Sequence, residues 1–337
     1  MKRFLAVILS FSSLAMAQPT PLLERYVALG DSITAGYQSA GMTAATQNDA
    51  YPVLLSRKAG YPLTAYLTGD PGCPPPRGGT PGPQSCVRAN PDASPRNFAV
   101  PGARVGDLTQ TRASNAPETT RPLVNLLIGE QTQVEAALAA QPTFLTIWIG
   151  SNDVLLSAIR GTLEGTTSAQ DFETRYRTLL EALKPTGAPG VLIGVPRISH
   201  VPALLDPNWL VLVGQASSDC WGGIYRIPAP LLANKDVPKP ISCRDPRVLT
   251  LDELNELDAR VEAYNRSIAR LAAQYGYVFY DVAPLFDAMV RPPNLLTGSF
   301  GPDFSADGAH PSSASHVRFA QELARLINAR YGTRLPE

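Results

Sequence analysis

Ser32, Asp307 and His310 are the residues on which a reaction could be built. Ser32 closes Tyr26-Val-Ala-Leu-Gly-Asp-Ser32, an apolar run ending in a polar turn, so its hydroxyl sits where a strand gives way to a loop or helix. Ligands of open α/β sheets bind outside the carboxyl ends of the strands. Two more turns have this character, Pro101-Gly102-Ala103 after Asn97-Phe-Ala-Val100, and Gly150-Ser151-Asn152-Asp153 after Thr143–Ile149. Acyl transfer needs a nucleophile, a base, a group that orients the base, and donors for the developing oxyanion. Ser32 can attack. His310 can take its proton, because imidazole alone titrates near neutrality without perturbation. Asp307 lies three residues earlier, so one turn can fold its carboxylate onto the ring and fix the tautomer. The amides of Ser32 and Gly102 and the side chain of Asn152 are the candidate oxyanion donors.

Each of these residues also has a plain structural role open to it. Ser32, Ser151 or Asn152 can cap a helix, and Gly102 after a proline can be a turn glycine. Asp307 can be a loop carboxylate, and His310 a surface histidine at a helix start. Three histidines occur in all. His316 is a rival base, but it falls inside an expected helix with no acid at matching spacing. His200 follows Arg197-Ile-Ser and reads as loop or rim. Asp31 could orient the base in place of Asp307, although holding the Ser32 turn through backbone amides is the simpler role. No G-x-S-x-G elbow, H-E-x-x-H, P-loop or dinucleotide fingerprint is present, and three scattered histidines make a poor metal site.

The elements that must position these turns alternate strand and helix. Strands are expected at Tyr26–Leu29, Leu63–Leu67, Asn97–Val100, Thr143–Ile149, Val191–Val195 and Tyr277–Asp281; Thr143–Ile149 is the strongest. Apolar without alternation, such strands suit a sheet covered on both faces. Helices are expected within Ala50–Ala59, over Val124–Ala140 and Phe172–Leu183, from Thr250 to a C-cap at Gly276, and from Ser315 to Tyr331. Thr250 with Glu253 reads as a capping box, and Leu251, Leu254, Leu257, Val261, Tyr264, Ile268 and Leu271 form one apolar face. Strand–helix alternation implies a parallel sheet with helices on both faces. Two stretches, 71–95 and 205–246, read as loop insertions in a single domain covering 18–337.

Composition narrows the compartment and the partners. Across 337 residues, 29 basic and 29 acidic side chains cancel, which offers no basic stripe for nucleic acid. Lys2 and Arg3, the apolar run Phe4–Leu14 and Ala15-Met16-Ala17 form a signal-peptide pattern over 1–17. That run is too short for a membrane span of roughly 20 residues. The expectation is a secreted or periplasmic protein with no stable membrane anchor. Four cysteines in an exported chain suggest two disulfides. Three pairings are open, and proximity favours Cys73 with Cys86 and Cys220 with Cys243.

Gly-Asp-Ser-Ile, the glycine of Asn97-Phe-Ala-Val-Pro-Gly102-Ala, Gly-Ser-Asn-Asp and Asp-Gly-Ala-His occur in the order of the four blocks of the SGNH (GDSL-type) hydrolases. The chain resembles that family from Tyr26 to about Pro311. The resemblance implies a flavodoxin-like, three-layer α/β/α sandwich with a mostly parallel sheet, and ester hydrolysis without metal or other cofactor. It implies Ser32, Asp307 and His310 as the triad, with Ser32, Gly102 and Asn152 as oxyanion donors; the second block matches at its glycine but not strongly around it. A small-molecule or lipid ester is then the expected substrate, and a monomer the expected state. A lipase or esterase is the leading expectation. A carbohydrate O-acetyl esterase is the alternative within the class, and a non-catalytic exported binding protein the alternative outside it. Trp209-Leu-Val-Leu-Val213, with Trp221, Ile224 and Tyr225, could border an acyl cleft or pack a small subdomain.

Overall fold

Strand faces alternate side chains with a period of two, and here both faces are apolar. The computed structural model describes residues 20–289 and 300–337; the segment 1–17, expected to be a signal peptide, lies outside them. Strands β1 (Tyr26–Gly30), β2 (Phe144–Trp148), β3 (Gly190–Ile193) and, further along the chain, Val278–Tyr280 form a parallel sheet in that order. Tyr26 pairs with Phe144 and Gly30 with Trp148, so the carboxyl ends of β1 and β2 finish level.

Tyr26, Ala28, Phe144, Trp148, Val191 and Ile193 point into one core, shared with the helices Tyr51–Lys58 and Ser313–Tyr331. Val27, Leu29, Leu145, Ile147 and Leu192 point into the other, against Gln133–Ala139, Ala169–Leu183 and Leu251–Tyr275. The result is the expected three-layer α/β/α arrangement. Fully burying one such side chain is worth about 1.5–3 kcal/mol; the apolar side chains of β1, β2 and β3 are buried throughout, and those of Val278–Tyr280 are half-buried. The Thr250–Glu253 capping box opens the long helix, and Gly276, at φ 77°, closes it in the left-handed conformation.

Three expected elements differ. Leu63–Leu67 is extended but forms no strand, because side chains satisfy much of its backbone and backbone amides of the 89–97 stretch reach only Thr64 O and Leu67 O. Asn90 accepts from Leu67 N at 2.7 Å and donates to Ala65 O at 2.9 Å, while Gln47 donates to Tyr66 O at 2.8 Å. Asn97–Val100 runs parallel to the free edge of β1, with Phe98 N donating to Ala28 O and Val100 N to Gly30 O, but only Asn97 makes a formal bridge. Pro101 has no N–H with which to continue it. Val124–Ala140 is two helices, Arg121–Leu127 and Gln133–Ala139. Gly129, at φ 62°, turns the chain between them, and a Thr132–Glu135 capping box restarts it.

The stretch 205–246 settles the choice left open by its apolar residues. Strands β4 (Leu204–Leu205), β5 (Tyr225–Pro228) and β6 (Leu249–Thr250) form a small antiparallel sheet, and Val278–Tyr280 is therefore β7. Leu205, Leu210, Ile227, Leu231 and Ile241 join the core beside the C-terminal helix. The segment packs as a small subdomain and contributes no residue to the cleft around Ser32. The cysteines pair as proximity favours, Cys73 with Cys86 and Cys220 with Cys243. Two disulfides fit an oxidising compartment. No helix among the described residues is long and apolar enough to cross a membrane.

Candidate active site

Three turns that end extended segments, together with the loop before the C-terminal helix, converge on one cleft of about 310 Å3, lined by Ser32, Gly102, Asn152 and His310 among others. β1 delivers the first. Gly30 has φ 156°, and a Cβ there would collide with the Trp148 carbonyl oxygen, so only glycine fits between β1 and β2. Asp31 caps the short helix Ser32–Ala35 by accepting from Ile33 N at 3.1 Å. Its other carboxylate oxygen is buried without a partner among the described residues, and burial pushes the carboxyl up to about 7. Asp31 therefore holds the Ser32 turn and makes no bond to His310.

Asn152 begins the helix after β2, and its Nδ2 donates to Ala103 O at 2.9 Å. An amide nitrogen carries two hydrogens, so one is left for the cleft. Gly102 sits opposite in the left-handed conformation, φ 83°. Asp153 ties the same two segments together. Its Oδ2 accepts from Val105 N at 2.9 Å and its Oδ1 from Thr167 Oγ1 at 2.7 Å; burial raises this carboxyl to about 6.

The fourth segment forms the acid–base pair. Asp307 Oδ2 is 2.8 Å from His310 Nδ1. Asp307 Oδ1 accepts from the amides of Ala309 and His310, both at 2.9 Å, and from Ser305 Oγ at 3.2 Å. Oδ2 also accepts from Ala40 N at 2.6 Å. Burial alone would raise the Asp307 pKa, but His310 and these amides hold it well below the usual carboxylate range. For His310 burial pulls the pKa down, and Asp307, with a smaller contribution from Asp31, more than reverses this, leaving it above the usual imidazole value. Tyr37 packs on the His310 ring, with centroids 5.0 Å apart. Ser32 and His310 line the cleft together, and among the described residues no hydrogen bond joins them.

The rival histidines lie elsewhere. His316 is fully buried, accepts from Tyr51 N at 3.2 Å, and is pulled down to about 3 by burial. It is a neutral packing residue. His200 lies 2.5 Å from Asp287 and does not line the cleft.

Sequence reasoning missed several supports. Gln133, buried at the first turn of its helix, clamps Gly30 from both sides: its Oε1 accepts from Gly30 N and its Nε2 donates to Gly30 O, each at 2.9 Å. No local pattern links residues 103 positions apart. The Ser39–Ala40 turn, with φ of 56° and 59°, presents the Ala40 amide to Asp307. The loop 71–95 walls the cleft with Cys73, Pro74, Gln84 and Cys86, which its proline and glycine content alone did not reveal.

A parallel α/β/α sandwich that gathers these four blocks at the carboxyl end of its sheet is the architecture of a hydrolase acting on esters. The chain belongs to the GDSL-like lipase/acylhydrolase family, whose model matches residues 26–323. Among solved structures it is similar to a catalytic mutant of an acetylxylan esterase from Geobacillus stearothermophilus, at 15% identity over 96% of this chain and 99% of that one, with a TM-score of 0.47. It is also similar to an α/β hydrolase enzyme from the metagenome of Lake Arreo, Spain, at 17% identity over 91% and 94% of the two chains, with a TM-score of 0.43. No curated protein matches the chain.

Proposed function

We propose that the chain is an exported serine ester hydrolase that cleaves acyl esters through Ser32, His310 and Asp307. The observation that carries this reading is the Asp307–His310 pair, 2.8 Å apart, in a cleft that also holds Ser32, Gly102 and Asn152. Ser32 Oγ attacks the ester carbonyl while His310 Nε2 takes its proton. Asp307 keeps the Nδ1 proton in place and stabilises the imidazolium. The oxyanion accepts from the Ser32 and Gly102 amides and from the free hydrogen of Asn152. His310 then protonates the departing alkoxide, leaving an acyl group on Ser32. Water, deprotonated by His310, releases the acid and restores the hydroxyl. Ser32–His310 contact in this scheme tightens when substrate arrives, as catalytic hydrogen bonds often do.

A fluorophosphonate probe tests the nucleophile. It is expected to add its phosphonyl group to the peptide containing Ser32 and to no other, as read by mass spectrometry. A label on another serine would sink the assignment. Asn152→Ala is expected to lower kcat roughly 10²–10³-fold with little change in KM, because the lost donor acts mainly on the transition state. Steady-state kinetics on a p-nitrophenyl ester measures the split, and a pure KM effect would remove Asn152 from the oxyanion site.

A further inference from the structure

The pairing of β1 with the 97–100 segment is interrupted at Gly30. Ala28 N donates to Arg96 O at 2.9 Å and Ala28 O accepts from Phe98 N at 3.0 Å, one full rung of a parallel ladder. In that register the next rung joins Gly30 N to Phe98 O and Val100 N to Gly30 O. The second of these bonds forms, at 3.2 Å. In place of the first, Gly30 N donates to Gln133 Oε1 at 2.9 Å, and Gln133 Nε2 donates to Gly30 O at 2.9 Å beside Val100 N. The Gln133 amide thus substitutes for the Phe98 peptide where the two extended segments would otherwise close. It projects from the start of the helix Gln133–Ala139 and is almost fully buried.

The two backbone donors of the oxyanion site follow directly from these atoms. Ser32 lies two residues after Gly30, and Gly102 two residues after Val100. Their spacing is therefore set where Gln133 holds Gly30 and Gly30 O holds Val100. Packing contributes little on the Gly102 side. Pro101 and Gly102 line both the cleft and a second cavity of about 320 Å3, which Gln133 also lines. A segment with open volume on both faces lacks the partner atoms that would locate it. Hydrogen bonds hold it instead, from Gly30 O at its start and from Asn152 Nδ2 to Ala103 O, at 2.9 Å, at its end.

We propose that Gln133 is a positioning residue for the reaction: its amide, inserted between the end of β1 and Val100, sets the spacing of the Ser32 and Gly102 oxyanion donors. The inference rests on the Ser32 hydrolase reading and adds to it a residue that touches neither substrate nor the reacting atoms. Donors act only at about 2.7–3.1 Å from the developing charge, so a small change in that spacing falls on the transition state and spares the bound ester.

The test is steady-state hydrolysis of p-nitrophenyl acetate by the full chain, by Gln133→Met and by Gln133→Asn, with phenylboronic acid as an inhibitor. Methionine keeps the side chain's length and removes the amide; asparagine keeps the amide and draws it back by one methylene. Each is expected to lower kcat roughly 10²-fold, as a misplacement of about 1 Å does, with KM changed by about twofold or less. Ser32 Oγ adds to the boron and passes its proton to His310, which leaves a tetrahedral adduct with one oxygen in the oxyanion position. Its inhibition constant is expected to rise by a factor similar to the loss in kcat. Thermal unfolding followed by circular dichroism reads stability separately. Methionine leaves Gly30 N buried without an acceptor, which is destabilising, so asparagine decides if methionine does not fold. A folded variant with the parent's kcat makes Gln133 a structural residue and overturns the proposal. A loss confined to KM overturns it too, as does a fall in kcat with unchanged boronate affinity. A parent chain that neither cleaves the ester nor binds the boronate overturns the hydrolase reading itself.

Discussion

Ser32→Ala is expected to abolish ester hydrolysis, with kcat falling roughly 10⁶-fold, as when a triad nucleophile is removed. No part of the fold should go with it. The Ser32 hydroxyl makes no hydrogen bond among the described residues, and the turn is held by other groups: Asp31 on Ile33 N, and Gln133 on both backbone atoms of Gly30. Thermal unfolding followed by circular dichroism should therefore match the parent chain within a few degrees, since a change without lost packing or hydrogen bonds costs about 0.5 kcal/mol or less. The pairing of these two outcomes is what separates a nucleophile from a capping serine. A cap would lower stability and leave turnover intact; a nucleophile does the reverse. Full activity in a folded variant would remove Ser32 from the mechanism.

What could be read from the sequence was local. Gly30-Asp31-Ser32 and Gly150-Ser151-Asn152 announce strand ends because an apolar run stops at small polar residues. Asp307 and His310 announce a pair because three residues is the reach of one turn. The Thr250–Glu253 capping box and Gly276 fix a helix by contacts within a few residues. What escaped was non-local. Gln47 and Asn90 replace a strand partner for the 63–67 segment from distant positions, and composition cannot tell such a segment from a strand. The break at Gly129 was hidden by apolar residues continuing on both sides, yet it places Gln133 under Gly30. The apolar residues after Trp209 were legible as apolar, but which core they join is decided by tertiary packing. Leu210 is fully buried while Trp221 and Ile224 stay more than half exposed.

Asp307→Asn is expected to lower kcat roughly 10⁴-fold, as loss of the orienting carboxylate does in a triad. The environment of Asp307 explains why so small a change costs so much. Its neighbours present only donors to it: Ala309 N, His310 N and Ser305 Oγ on one oxygen, Ala40 N and His310 Nδ1 on the other. An asparagine must turn its NH2 toward one of these sets. Facing His310, it forces the ring to accept at Nδ1 and carry its proton on Nε2, the atom that must take the Ser32 proton. Turned the other way, it opposes two backbone amides. The pH profile gives an independent reading. Asp307 holds the His310 pKa above the ordinary imidazole value although burial opposes it. Because the base works only when neutral, kcat/KM of the parent chain should fall as pH drops through that raised pKa and be full on its alkaline side. In the asparagine variant burial remains and the carboxylate charge is gone, so the residual activity should inflect at lower pH than in the parent. Kinetics between about pH 5 and 9, spanning the ordinary imidazole range, measures both. An inflection at the same pH in the two proteins would mean that His310 does not titrate against Asp307 during catalysis, and the base would have to be sought elsewhere.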